Sequence, residues 1–248
     1  MRQFLHQLRW EQLLFWRSRE AAVFGFLFPL LLFALLTAVY DGEIYGRPAA
    51  WGLLAGMLGY GAANTAFAVL ALMIVGRREM GILKRIRSTP LPPGAYLTAL
   101  LASILIVFAL QAGALFGLGR LLNSTPWPSH LFSLVLALGL GAAAFAALGL
   151  AITGFIRSLE GSSAVVNIIV LPMAFLSGSF GPTRDYPRAL EAIGEVLPLK
   201  YLLDIVNGIY LHGHELWDEP TAVAVLAGGG ALGMALALRT FRWEPREG

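Results

Sequence analysis

The sequence predicts an all-α integral membrane protein with six transmembrane helices, and three observations carry that prediction. Hydrophobic residues make up 57% of the chain and charged residues 13%, about half the roughly 25% charge of a soluble domain, so the chain cannot cover itself with polar surface. Mean hydropathy is +0.70. The apolar residues fall in runs of about 20, the length that crosses a bilayer core as a helix, and not in the short runs of a soluble core. All 248 residues therefore read as one membrane domain. Cysteine is absent, which excludes disulfides, thiolate metal sites and cysteine nucleophiles. The formal charge of +3 reflects membrane orientation better than it reflects nucleic acid, and no nucleic-acid partner is expected.

Residues 1–20 mix Arg2, Arg9, Arg17 and Arg19 with aromatic and aliphatic side chains. Phe4, Leu8 and Phe15 share a helical face flanked by Leu5 and Trp16, while Trp10, Leu13 and Leu14 break the stripe. The expectation is an interfacial helix lying on membrane lipid; the plainer alternative is a basic lead-in to the first span. The region before the apolar run is long for a secretory signal, and the run itself exceeds the usual length of about 7–15 residues.

The first span is expected at roughly residues 22–40, with Pro29 inside it, and a short polar loop follows at 41–48. The second, roughly 51–75, holds Gly52 and Gly56 at G-x-x-x-G spacing together with Asn64 and Thr65. A polar stretch at 77–93 then interrupts the apolar pattern and is closed by Pro90, Pro92 and Pro93, which cannot continue a helix. The third span, roughly 95–118, carries Gln111 and a second G-x-x-x-G pair, Gly113 and Gly117, a spacing that lets helices approach closely. The fourth is expected at about 131–155, and the fifth, at about 162–180, contains Asn167, Pro172 and Ser177. Residues 181–220 read as two short amphipathic helices, too broken by proline and charge to span, lying on the outer interface or re-entering it. The sixth span, about 222–238, is glycine-rich.

Six spans place both termini on one side, and the distribution of basic residues chooses which. Thirteen Lys and Arg fall on the side of the termini and of residues 77–93, and five on the other. By the positive-inside rule the termini and that polar stretch are expected in the cytoplasm.

Few residues invite chemistry. The two lysines, Lys84 and Lys200, do not follow glycine, so a Walker A loop is absent and ATP hydrolysis by this chain is not expected. His212, His214 and Glu215 form H-G-H-E without a visible third protein ligand, which reads as a polar turn ahead of a metal site. Ser177 in L-S-G-S-F-G has the look of an intramembrane nucleophile, but no histidine lies within a span to serve as its base. No Asp, Glu, Lys or Arg falls mid-span, which weakens an ion-coupled carrier. Asn64, Gln111 and Asn167 remain as a candidate substrate path, or as hydrogen-bonding glue between helices, the reading favoured here.

The stretch at 77–93 carries Arg77, Arg78, Lys84, Arg85 and Arg87, and its Met80, Ile82, Leu83 and Ile86 form an apolar stripe on a short helix suited to a groove on another protein. R-E-M-G-I-L-K-R-I-R-S-T-P-L resembles the cytoplasmic signature of ABC-2 type transporter permeases, through Glu79, Gly81, Leu83, Lys84, Arg87, Thr89, Pro90 and Leu91, with Ile82 and Ile86 departing conservatively. Residues 171–187 and 196–204 are similar to that family's fifth-span ending and outer amphipathic segment.

The resemblance implies a permease subunit of an ABC exporter in a prokaryotic inner membrane, with 77–93 as a cytoplasmic coupling helix. It implies two permease chains, homodimeric or heterodimeric, around the transport path, each docked to an ATPase subunit that binds ATP and Mg; this chain binds no cofactor. Glu79, Gly81, Ile82, Leu83, Lys84, Ile86, Arg87, Thr89 and Pro90 become the ATPase-coupling residues, with Glu79, Ile82, Leu83 and Ile86 touching the partner and the basic residues orienting on lipid and ATPase. The cargo implied is amphipathic: a lipid-like molecule, a glycan or a drug. The alternatives are an ion-coupled or passive six-span carrier and an intramembrane enzyme.

Overall fold

The computed structural model describes residues 2–40, 42–44, 46–89, 91–183 and 186–244. Six of its helices are long and apolar enough to cross a membrane: α2 (Ala21–Val39), α3 (Ala49–Glu79), α5 (Pro93–Asn123), α6 (Leu131–Thr153), α7 (Leu159–Ser177) and α10 (Pro220–Thr240). Shorter α-helices join them, α1 (Arg2–Arg17), α4 (Ile82–Arg87), α8 (Arg188–Val196) and α9 (Pro198–Asn207), with single turns of other helix types at Gly208–His212 and Leu216–Asp218. A two-residue hairpin, β1 (Glu43–Ile44) with β2 (Arg47–Pro48), links α2 to α3. The end of the bundle bearing α1 and α4 is called basal below.

Local sequence sets the helix ends. Pro93 and Pro220 occupy first-turn positions where a missing N–H costs nothing. The Ser158 side chain caps α7 by accepting from the Gly161 N–H, and Gly178 closes the same helix in the left-handed region. α3 is the hub, with 83% of its most apolar window buried against 17% for α2 and 22% for α10, which leaves α2 and α10 faces for lipid or another chain.

Several elements differ from the sequence expectation. α1 is helical, but Phe4, Gln7, Leu8, Glu11, Gln12 and Phe15 turn towards the bundle while Leu5, Trp10, Leu13, Leu14 and Trp16 face outward. The helix has two apolar faces, and the mixed one, anchored by Gln12 Nε2 donating to Ser103 at 2.9 Å, is the one that packs. Gly113 and Gly117 meet nothing within 4 Å of a built Cβ, so that pair brings no helix of this chain close. Gly56 does receive a close neighbour, the backbone of Ser179. α9 is packed within the bundle, with Leu199, Leu202, Leu203, Ile205 and Val206 all buried. Its entry is permitted by Gly141 on α6, where a Cβ would lie 2.6 Å from Leu202.

Candidate functional site

The second span does not stop at residue 75. It runs on to Glu79, so Arg77 and Arg78 belong to the span helix and are buried, not displayed on a loop. Arg77 Nη1 and Nη2 donate to Glu11 Oε1 and Oε2 at 3.0 and 2.6 Å, and Nη1 also donates to the Tyr96 hydroxyl at 2.7 Å. Gln7 Nε2 donates to Glu11 Oε1 at 2.7 Å. One ion pair thus ties together α1, the base of α3 and the start of α5. Its fork geometry satisfies both carboxylate oxygens, the condition under which a buried pair recovers its desolvation cost.

Arg78, 1% exposed, reaches the other way. Its Nη1 and Nη2 donate to the carbonyls of Thr153 and Ile156 at 2.7 Å each, and Nε donates to Glu79 at 3.0 Å. Thr153 ends α6, where carbonyls lack intrahelical donors and the helix dipole is negative. A guanidinium there both satisfies those carbonyls and complements the charge. Glu79 is consequently engaged with Arg78 and half-buried.

Gly81 ends α3. Its φ of +69° and ψ of +11° lie in the left-handed region open to glycine at little cost, and its N–H donates to the Arg78 carbonyl at 3.0 Å. α4 is therefore a separate six-residue helix, broken from α3 at Gly81. At its far end Thr89 Oγ1 donates to the Ile86 carbonyl at 2.6 Å and Ser88 Oγ to that of Arg85 at 2.8 Å, closing the last turn. Pro90 lies outside the described residues.

α4 does not show its whole stripe. Leu83 is fully buried, contrary to the expectation that it touches a partner, and Ile86 is half-buried against the core. Met80, at 60% exposure, and Ile82, at 36%, face outward, with Lys84, Arg85 and Arg87 also exposed. The spacing of Ile82, Leu83 and Ile86 marks a helix; which side turns inward depends on the packing of distant spans.

The three intramembrane amides separate. Pro29 has no N–H, so the Gly25 carbonyl one turn earlier loses its α-helical donor, and residues 21–27 are π-helical. Gln111 Nε2 donates to Gly25 and Phe26 carbonyls at 2.6 and 3.0 Å, Thr65 Oγ1 to Gly25 at 2.8 Å, and Asn64 Nδ2 to Phe24 at 2.9 Å. Gln111 and Asn64 are glue for the broken helix. Asn167, in contrast, is exposed on α7, and its side chain makes no hydrogen bond among the described residues.

At the end opposite the base, a cavity of about 490 Å³ lies between α2 and α7, lined by Phe28, Leu36, Tyr60, Leu171, Phe175 and Phe180 among others. His130 and Glu215 approach at 3.7 Å and His214 and Glu219 at 3.4 Å on the surface there, and the described residues hold no cluster suited to a metal. Ser177 Oγ is buried with no hydrogen-bonding partner among the described residues, so no base holds it.

A bundle of six membrane-length helices, with α1 fixed at its base by a buried arginine, defines a multi-pass membrane protein. The family profile for the ABC-2 type transporter matches residues 2–211, and the chain belongs to that family. It is similar to the "putative transport permease YvfS" of Bacillus subtilis, 25% identical over 73% of this chain and 75% of the relative. It is 31% identical to "nodulation protein J" of Rhizobium leguminosarum bv. trifolii over 48% of this chain and 45% of that one. With the "probable multidrug ABC transporter permease YbhR" of Escherichia coli K12 it shares 23% identity over 66% of this chain and 46% of the relative. The chain is thus a membrane subunit of an ABC transporter and not itself an ATPase.

Proposed function

We propose that this chain is the permease subunit of an ABC exporter, moving an amphipathic, lipid-like, glycan or drug cargo out of the cytoplasm under the drive of a separate ATPase. The observation that carries the coupling role is α4: a helix broken from its span by Gly81, held by buried Leu83, and offering Met80, Ile82 and basic side chains outward. Those outward groups fit a groove with an apolar floor and an acidic rim. Arg77 and Arg78, at the end of α3 just before α4, connect that end to α1, α5 and α6, so a push on α4 that moves the end of α3 reaches most of the bundle.

The excess of basic residues at the basal end supports a cytoplasmic base in a prokaryotic inner membrane, with both termini inside. Asn167, an unpartnered amide on an exposed face of α7, supports a second permease chain or a polar route along that face, since an amide facing lipid is costly. The apolar, aromatic walls of the cavity between α2 and α7 favour a cargo with an apolar portion. A relative named as a multidrug permease agrees with that class.

The test is to change Ile82 to Asp, an exposed site where the fold does not need the isoleucine. Membrane insertion and thermal stability are expected to hold, while the ATPase no longer co-purifies and export stops. Retention of both the ATPase and export in that variant would refute the coupling role.

A further inference from the structure

We propose that residues 241–244, which follow α10, are a working part of the coupling site: they seat α4 and occupy one of its basic side chains, leaving the others for the ATPase. The proposal rests on the coupling role assigned to α4.

Four contacts mark the course of the chain from α10 to α4. Thr240 packs on Gly154, where a Cβ would lie 2.6 Å from Thr240 Cβ and Oγ1, so only glycine admits the approach. Gly154 is flanked by the carbonyls of Thr153 and Ile156 that Arg78 holds, so this segment starts on the same turn that the base of α3 grips. Phe241 then leaves the helix in extended conformation and packs edge-on against Trp243, ring centroids 5.2 Å apart. Trp243 in turn stands 6.3 Å from the Tyr96 ring, and the Tyr96 hydroxyl accepts from Arg77. Last, Glu244 Oε1 approaches Lys84 Nζ at 4.0 Å, on α4 itself.

A segment trailing into water has no reason to cover its aromatic rings. Phe241 and Trp243 are instead half-buried against the core. Trp243 stands beside Tyr96, whose hydroxyl Arg77 holds, so the segment lies next to the ion pair at the base of the bundle. The Glu244–Lys84 pair thereby links α4 to the segment after α10, a route that the arginines do not supply.

The pairing also sorts the charges. Lys84 and Glu244 are both exposed, at 67% and 56% of their side chains, so their attraction is weak and serves placement more than stability. It leaves Arg85 and Arg87 as the cations of α4 that meet acidic groups of the partner.

The experiment uses the full-length tagged chain with the ATPase captured alongside it, reconstituted in vesicles of phosphatidylethanolamine and phosphatidylglycerol. Trp243→Ala and Glu244→Lys are each expected to lower vanadate-sensitive ATP turnover by about threefold with the complex intact, and Lys84→Glu combined with Glu244→Lys to restore it. Because the chain lacks cysteine, Lys84→Cys with Glu244→Cys offers a single thiol pair for a short bismaleimide, and mass spectrometry is expected to find the 84–244 link. Ile82→Asp runs alongside. If it releases the ATPase while Glu244→Lys and Trp243→Ala leave turnover unchanged, the role of residues 241–244 is overturned and that of α4 stands. If it leaves ATPase binding and export intact, the coupling role itself is wrong. Should Trp243→Ala fail to fold, the Glu244→Lys loss and its rescue by the charge swap decide alone.

Discussion

Arg77 and Glu11, 66 residues apart in sequence, meet as a two-fold hydrogen-bonded ion pair at the base of the bundle, with the carboxylate 1% exposed. The pair fastens the helix that precedes the first span to the end of the second. Removing either partner strands the other charge away from water. Arg77→Ala or Glu11→Ala is expected to cost about 3–5 kcal/mol, and the combined Glu11→Leu, Arg77→Met change much less. Thermal unfolding of the detergent-solubilised variants checks the order: each single change lowest, the double between them and the native chain.

Gly81 makes α4 a separate helix. Gly81→Asn is expected to retain function, because asparagine tolerates the left-handed region, whereas Gly81→Val is expected to lose ATPase coupling at a strain of about 1–2 kcal/mol. Turnover of the reconstituted complex, measured beside membrane insertion, separates the two. Equal activity would show that the break in the helix is dispensable.

Gln111 serves the Gly25 carbonyl that Pro29 leaves free, and that of Phe26 beside it. Gln111→Leu is expected to destabilise by about 1–3 kcal/mol, since it strips Phe26 of its side-chain donor and leaves Gly25 with Thr65 alone. Pro29→Ala in the same chain restores a backbone donor, so the double variant is expected to recover part of the loss. Stabilities that simply add across this cycle would show that the two positions are independent.

Leu83 is held inside the protein, so Leu83→Ala is expected to cost about 2–5 kcal/mol by opening a cavity, and the cost falls on stability before any effect on partner binding. Met80→Ala, at an exposed position, is expected to change stability by less than about 0.5 kcal/mol. Thermal shift assays on the two purified variants decide.

Much of the fold was legible. Hydropathy located all six membrane-length helices to within a few residues. The second span was expected to end near residue 75 and instead runs to Glu79, where Gly81 separates it from α4. The site was less so. Arg77 and Arg78 read as orienting charges on a loop, because nothing local tells that Glu11 or the end of α6 will stand beside them. Glu11, Tyr96 and Trp243 were missed for the same reason; the one available signal was an acidic residue in the middle of a face of α1 otherwise made of apolar and amide side chains.

The sequence by itself determined the number, length and order of the spans, because in hydrocarbon each helix must satisfy its own backbone and carry its own apolar surface. Only the tertiary structure decided which face of each helix turns inward. In lipid, apolar side chains are equally at home on either side, so packing and hydrogen bonds between distant segments make that choice. They bury Leu83 and Arg78, leave Asn167 outside, and bring Glu11 to Arg77.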